Sequence, residues 1–288
     1  MITKAKRQNI QKFNEKKLLA IDTSSATASV ALIEFYDQLV CSSDSEGSEE
    51  RYIPSTKILA ECSIAQSAKT YSETLMPMVD HIFNLNDLAM QDIDYIACTN
   101  GPGSFTGLRI GAATAKGLAF AAGIPLIPVP TLDAMAYTVA CIVAHNTLVV
   151  PIMDARRDQA YSAFYHDGCE RKSDYMALPV DELLEKLRML VLELKSERPL
   201  HILFITDGAN DFGFNIAMRM GYPFSSEALG FSVSISGVPC SPLATYAGML
   251  AGSPALAGNL PKGEFELMYI RKPQAERERE ERESRGEI

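Results

Sequence analysis

The first sustained apolar pattern in this 288-residue chain begins at residue 17, where KLLAID reads as a strand. The apolar run resumes as SVALIEF after the small polar turn TSSATA, so the two runs predict a hairpin. Residues 1–16 are polar and are expected to form a flexible extension. Residues 41–57, CSSDSEGSEERYIPSTK, are rich in Ser, Glu and turn formers without a sustained period, which predicts an inserted loop. From 71 to 85, YSETLMPMVDHIFNL places Leu75, Met78, Val79 and Ile82 at helical spacing, with Met76 and Phe83 on another side. The predicted helix therefore has two faces to bury. A buried strand, DYIACTN, leads into GPGSFTG, which opens a long helix closed by Gly123 and Pro125.

The second half repeats this grammar. After a strand (IPLIPVP) and a helix (TLDAMAYTVACIVAH), the segment LVVPIMDARRDQAYSAFY gives an apolar strand ending in Asp154, a polar turn, and a strand resuming at Tyr161. The first copy has Asp22, TSSATA and Ser29, so each strand resumes seven residues after its aspartate. One such hairpin per half predicts an α/β fold of the duplicated, two-lobed actin-like (ASKHA) type, with mixed sheets flanked by helices. The expected division is residues 17–123 for the first lobe and 124–240 for the second. A C-terminal helical segment, 241–273, returns to the first lobe, and 274–288 form a charged tail. Within the second lobe, VDELLEKLRMLVLELK predicts an amphipathic helix and HILFITDGAN a buried strand ending in a turn. The closing YIRKPQAEREREERESRGEI reads as solvated helix or disorder.

Composition narrows the function. The chain is 47% hydrophobic and 22% charged with a net charge of −9, a globular balance that argues against a broad nucleic-acid-binding surface. Any RNA contact is expected to come through a partner. The six cysteines form no C-x-x-C pair, which excludes a zinc knuckle or redox dithiol and suits reduced thiols. No apolar segment follows the basic start, and Gly and Pro interrupt the longer apolar runs, so a soluble cytoplasmic protein without membrane attachment is expected.

Candidate chemistry is sparse. In an actin-like enzyme the two hairpin turns approach phosphates, which requires small residues, free N–H groups and metal-directed carboxylates. Asp22, Thr23 and Ser24 fit that requirement weakly, and the same residues also suit a turn that satisfies its own N–H groups. The second turn, with Arg156 and Arg157 and no glycine, would crowd a backbone cradle. Asp207-Gly208 suits either an adenosine pocket or a plain turn. His81, His145, His166 and His201 form no paired motif, so no metal site is expected. GPGSFTG matches neither the nucleophile elbow nor Walker A nor the dinucleotide fingerprint. Its glycines have another reading. Gly103, Gly107, Gly111, Ala115 and Ala119 recur every fourth residue and form one stripe of a helix capped by Ser104 or Thr106, with Phe105 packing back toward the core. Such a stripe admits a second backbone, either within the lobe or from a partner; the apolar helix at 71–85 favours the partner.

The segments LAIDTSSATASVAL, YSETLMPMVDHI, GPGSFTGLRIGAATAKGLAFA, IPLIPVPTLDAMA, PIMDARRDQAYSAFY, ITDGA and YIRKPQAERE resemble, in order, the bacterial TsaB family. That resemblance implies an actin-like fold and a non-catalytic dimerisation subunit of the machinery that makes N6-threonylcarbamoyladenosine in tRNA. It implies as partners a catalytic TsaD-like paralogue and a small TsaE-like ATPase, with a second copy of the chain as an alternative partner and tRNA reached only through the complex. No catalytic residue, metal or cofactor is implied. The expected partner surface comprises Leu75, Met78, Val79 and Ile82 of the first helix and Gly103, Gly107, Gly111 and Ala115 of the second. Two departures stand out: Tyr71 where the family usually has His, and the longer segment at 41–57. An actin-like phosphotransferase, a glycoprotease-like metalloenzyme and a homodimeric nucleotide-binding module are the alternatives.

Overall fold

The computed structural model describes residues 12–44, 47–65, 70–140, 142–167, 170–194, 200–206, 212, 216, 219, 233–239, 243–256, 258–260 and 263–271. Asp207 and Gly208, most of the extension and the charged tail lie outside them. The first sheet comprises β1 (Lys12–Asp22), β2 (Thr27–Asp44), β3 (Gly47–Ala65), β4 (Tyr95–Gly101) and β5 (Leu126–Pro130), in the order β3-β2-β1-β4-β5. The second contains β6 (Thr147–Asp154), β7 (Gln159–Ser162), β8 (Tyr165–His166), β9 (Glu170–Arg171), β10 (Met176–Pro179), β11 (Leu200–Thr206) and β12 (Val233–Pro239). Its main path is β10-β7-β6-β11-β12. In each sheet an antiparallel hairpin lies on one side of the first strand and parallel crossover strands lie on the other. This shared strand order is the duplication made visible, and the fold is actin-like.

The central strand explains the layering. Leu18, Leu19, Ala20 and Ile21 are fully buried, as a strand covered on both faces requires. Leu19 and Ile21 face a core shared with α1 (Tyr71–Leu85) and α2 (Phe105–Ala122), whereas Leu18 and Ala20 face α5 (Ala244–Leu256). Each large apolar side chain buried this way contributes roughly 1.5–3 kcal/mol. Helix α5 lies close to the sheet through Ala244, Ala247, Ala251 and Ala255, and a Cβ at Gly252 would enter the Phe35 ring. In the second lobe α4 (Val180–Glu193) covers one face and α3 (Thr131–Tyr137) the other. Asp133 of α3 accepts hydrogen bonds from the Tyr165 and Tyr175 hydroxyls at 2.5 and 2.8 Å, tying the crossover to the second lobe. Burial, and then the Asp133 charge, raise both phenols above their ordinary range.

Three expectations need correction. The segment 41–57 is not a loop, because β2 and β3 continue through it as a paired hairpin with Cys41 opposite Glu50 and Asp44 opposite Gly47. Strand β1 starts at Lys12, with a register shift between Phe13 and Lys16, so the proposed extension is in part strand. Residues Gly263–Arg271 are not a helix. They run as an extended strap in which the Met268 N–H donates to the Asn100 carbonyl at 2.7 Å and Phe265 enters the first-lobe core.

Candidate functional site

The turn after β1 is where an actin-like enzyme would cradle phosphate. Here Asp22, Thr23 and Ser24 are at most 1% exposed. Asp22 Oδ1 accepts bonds from the Ser24 N–H (3.1 Å), the Ser24 hydroxyl (2.6 Å) and the Thr99 hydroxyl (2.7 Å). Burial raises its carboxyl above the ordinary 3.8, while these bonds pull the other way. The start of α2 closes the turn from outside. The Ser104 N–H donates to the Ser24 carbonyl at 2.7 Å, and the Thr23 hydroxyl donates to the Gly107 carbonyl at 2.7 Å. Tyr71 reaches the same turn, its hydroxyl donating to the Ser25 carbonyl at 2.7 Å.

The glycine stripe meets this turn. A Cβ at Gly103 would lie 2.3 Å from the Ser24 carbonyl oxygen, at Gly107 2.1 Å from that of Thr23, and at Gly111 2.3 Å from the Thr23 hydroxyl. The backbone that these glycines admit is therefore the chain's own. Ala115 is likewise buried, and Leu75, Met78, Val79 and Ile82 are all core residues at 3% exposure or less. All eight positions expected to touch a partner thus pack mainly within the lobe, because a period of four identifies a shared helix face without saying which face points inward. Ser104 does cap α2, accepting from the Gly107 N–H at 3.3 Å, and Gly123 ends it in the left-handed region. Phe105, expected in the core, is 40% exposed instead.

The outward face of the same two helices is mixed, with exposed apolar side chains among Glu73, Asp80, His81 and Asn84 of α1 and Arg109 and Lys116 of α2. Met76 and Leu85 project from α1, and Phe120 from α2 at 92% exposure, beside the exposed small residues Ala113, Gly117 and Ala121. A Cβ at Gly117 would meet nothing within 4 Å. Since α1 and α2 cover one face of the sheet and touch each other, their outward sides form one surface.

The second turn shares the aspartate-to-N–H bond two residues on but is open where the first is closed. Arg156, Arg157 and Asp158 have φ of 65°, 55° and 57°, a left-handed run that costs about 1–2 kcal/mol per non-glycine residue. All three are exposed. The Arg156 N–H donates to Asp154 Oδ1 at 2.6 Å, and its guanidinium lies 3.2 Å from Oδ2. Arg219 pairs with Asp158 at 3.0 Å. Arg271, from the strap, donates to the Ala155 carbonyl at 2.6 Å. Farther back on the strap, the Tyr269 hydroxyl accepts from Arg109 Nε at 3.2 Å, while the Arg109 guanidinium lies 3.8 Å over the Phe105 ring. Sequence reasoning missed Tyr269 and Arg271 because an extended strap has no period, with the Tyr-x-Arg spacing ahead of the charged run as the available signal, and missed Arg109 because its partner Tyr269 is reached only through the fold. Among the described residues no group of three His, Cys, Asp or Glu side chains could hold a metal, and no helix is long and apolar enough to cross a membrane.

A model of the family described as TsaD, tRNA N6-adenosine threonylcarbamoyltransferase, matches residues 57–251. The tRNA threonylcarbamoyladenosine biosynthesis protein TsaB of Bacillus subtilis is 33% identical over 217 residues, covering 73% of this chain and 84% of that one. The chain belongs to the TsaB family. The Haemophilus influenzae protein of the same name is 37% identical over 145 residues, which span only 51% of its length. The solved structure of YeaZ from Pseudomonas aeruginosa superposes with a TM-score of 0.59 at 23% identity, covering 88% of this chain and 99% of that one, and so shares the fold. As a TsaB-family chain it keeps the actin-like hairpins while α2 fills the first of them.

Proposed function

We propose that this chain is a non-catalytic partner subunit in forming N6-threonylcarbamoyladenosine on tRNA, pairing with a catalytic TsaD-like paralogue through the outward face of α1 and α2. Family membership supplies the pathway, through the names of the relatives. The observation that carries the pairing is the exposed face itself, where Phe120 stands beside the small stripe Ala113, Gly117 and Ala121 of α2 and Met76 is exposed on the neighbouring α1. Apolar side chains next to a groove without side-chain bulk are what a second helix pair needs to pack closely. A second copy of this chain would use the same face, and a TsaE-like ATPase would join the assembled pair. On this reading tRNA binding requires the complex, and the setting is the cytoplasm. The closed first turn disfavours an independent phosphotransferase, since α2 fills the place where phosphate would lie.

Native mass spectrometry of the chain mixed with its paralogue tests the pairing. Gly117→Arg and Phe120→Glu should each weaken association by about a hundredfold or more, the effect of losing a close-packed or apolar anchor. Because both sites are open to solvent, the melting temperature should move by only a few degrees. Full association by both variants would refute the assigned face. Threonylcarbamoyl transfer by the chain without its paralogue would refute the non-catalytic role.

A further inference from the structure

The carboxyl ends of the strands in an open α/β sheet border the crevice where such folds take their ligands. In this chain the strap crosses that crevice, from the end of β4 to the turn just past β6. It is anchored at Phe265, which is buried in the first-lobe core. Beyond Phe265 it is tied by separate hydrogen bonds to three different elements. The Met268 N–H donates to the Asn100 carbonyl of β4 at 2.7 Å, the Tyr269 hydroxyl accepts from Arg109 of α2 at 3.2 Å, and the Arg271 guanidinium donates to the Ala155 carbonyl of the second lobe at 2.6 Å. The Asn100 side-chain amide also donates to the Glu266 carbonyl at 3.0 Å, so Asn100 lies directly beneath the strap. A Cβ at Gly101 would sit 2.6 Å from the Met268 carbonyl oxygen, which leaves no room between strap and strand end.

This closed arrangement leaves polar atoms unsatisfied. Asn100 Oδ1 and Thr131 Oγ1 are buried oxygens without a hydrogen-bond partner, and Thr131 is fully buried. The two are neighbours: Asn100 directly precedes Gly101, Thr131 directly follows Pro130, and Gly101 faces Pro130 across the β4–β5 ladder. A buried oxygen without a partner carries a desolvation penalty that contact with water would relieve. Closure is therefore opposed at the place the strap covers, while the ties that hold it closed are single bonds rather than a ladder.

We infer that residues 266–271 are a latch over this crevice, hinged at the Phe265 anchor, which opens and recloses as a unit while both lobes stay folded. Opening breaks the bonds at Met268, Tyr269 and Arg271 together, hydrates Asn100 and Thr131, and unfastens the first lobe from the turn of the second on this side. The crossover at α3 still joins the lobes, since Asp133 holds Tyr165 and Tyr175. Local openings of this kind lie below global unfolding in free energy when few bonds and little core are lost, and Phe265 keeps the core intact. The latch does not depend on helix pairing and holds whether or not a partner covers α1 and α2.

The test is amide hydrogen exchange of the full chain at single-residue resolution. The Met268 amide reports the latch, because its acceptor lies across the closed contact, and the Ala20 amide in the middle of β1 reports global unfolding. In the wild type Met268 should exchange at least about tenfold faster than Ala20, as a local opening requires. Arg271→Ala removes the tie to the second lobe and should accelerate Met268 by about fivefold or more, the effect of one hydrogen bond from a charged group, with Ala20 nearly unchanged. Thr131→Val replaces an unpartnered hydroxyl with a methyl of similar shape and should slow Met268 by about threefold or more. Equal wild-type rates for Met268 and Ala20 would show that only global unfolding frees the strap and would overturn the inference. So would an unchanged Met268 rate in Arg271→Ala, or unchanged or faster exchange in Thr131→Val, since the latch would then lack either its fastening or its reason to open.

Discussion

The two hairpin turns occupy the same place in two copies of one fold, yet they have opposite fates. The first, at Asp22 to Ser25, is buried and satisfied, and the start of α2 is pressed onto it. The second, at Asp154 to Asp158, shows two arginines to solvent on strained backbone. Strand order alone would assign both to phosphate. What decides is the segment that packs on each: a glycine-lined helix start can enter the first turn, whereas Arg156 and Arg157 leave no room for such a close approach to the second. Duplication preserved the scaffold, and local packing redistributed its uses.

The sharpest way to break the contrast is to add bulk where α2 meets the first turn. In an ordinary helix interior Gly→Ala stabilises by about 1 kcal/mol. At Gly107 the new Cβ would lie 2.1 Å from a backbone oxygen, which cannot swing aside. Overpacking should win, and Gly107→Ala is expected to destabilise the chain by roughly 2–4 kcal/mol, lowering the melting temperature by about 5–15 °C. Gly117→Ala, on the open side of the same helix, should stabilise it by about 0.5–1 kcal/mol. Thermal melts of both variants check the pair of signs; equal signs would remove the distinction between the two faces of α2. Gly111→Arg, which at first sight tests partner binding, should instead unfold the lobe.

A smaller effect should separate the turns by pH. Burial holds the Asp22 carboxyl above its ordinary 3.8, so the folded chain retains a proton that the unfolded chain releases. The stability this group contributes is therefore complete below 3.8 and is lost as pH rises through the raised value, with a limiting slope of about 1.4 kcal/mol per pH unit in between. Asp22→Asn keeps an oxygen for the bonds from Ser24 and Thr99 and abolishes the charge. Relative to wild type, the variant should gain stability as pH rises from the ordinary 3.8 toward the raised value, as measured by denaturant titration at each pH. A parallel pH profile in the two proteins would show that Asp22 titrates normally.

Much of this architecture was legible because it is written locally. Buried central strands read as unbroken apolar runs, and Ser104 and Gly123 mark the ends of α2 within a few residues of where they act. The candidate site was less legible, since its decisive contact joins Thr23 to Gly107 across 84 residues. Spacing showed that Gly103 to Ala119 share a face, but Ala113, Gly117 and Ala121 share another just as small, and only the fold says which is inside. The hairpin through 41–57 was hidden for a different reason. Its polar residues pair backbone to backbone, and that ladder leaves no apolar alternation to read.

The smallest effect concerns the second turn, where strain rather than closure is the distinguishing mark. Arg157 has φ of 55° and an exposed side chain, so its backbone carries a steric cost that glycine would not. Against that gain, glycine releases more conformational entropy on unfolding, which offsets part of it. Arg157→Gly should therefore stabilise the chain by a few tenths to about 1 kcal/mol, seen as a rise of roughly one to four degrees in melting temperature. If Arg157→Gly instead destabilises the chain, the arginine is a structural part of its turn, and the contrast with the first hairpin reduces to exposure alone.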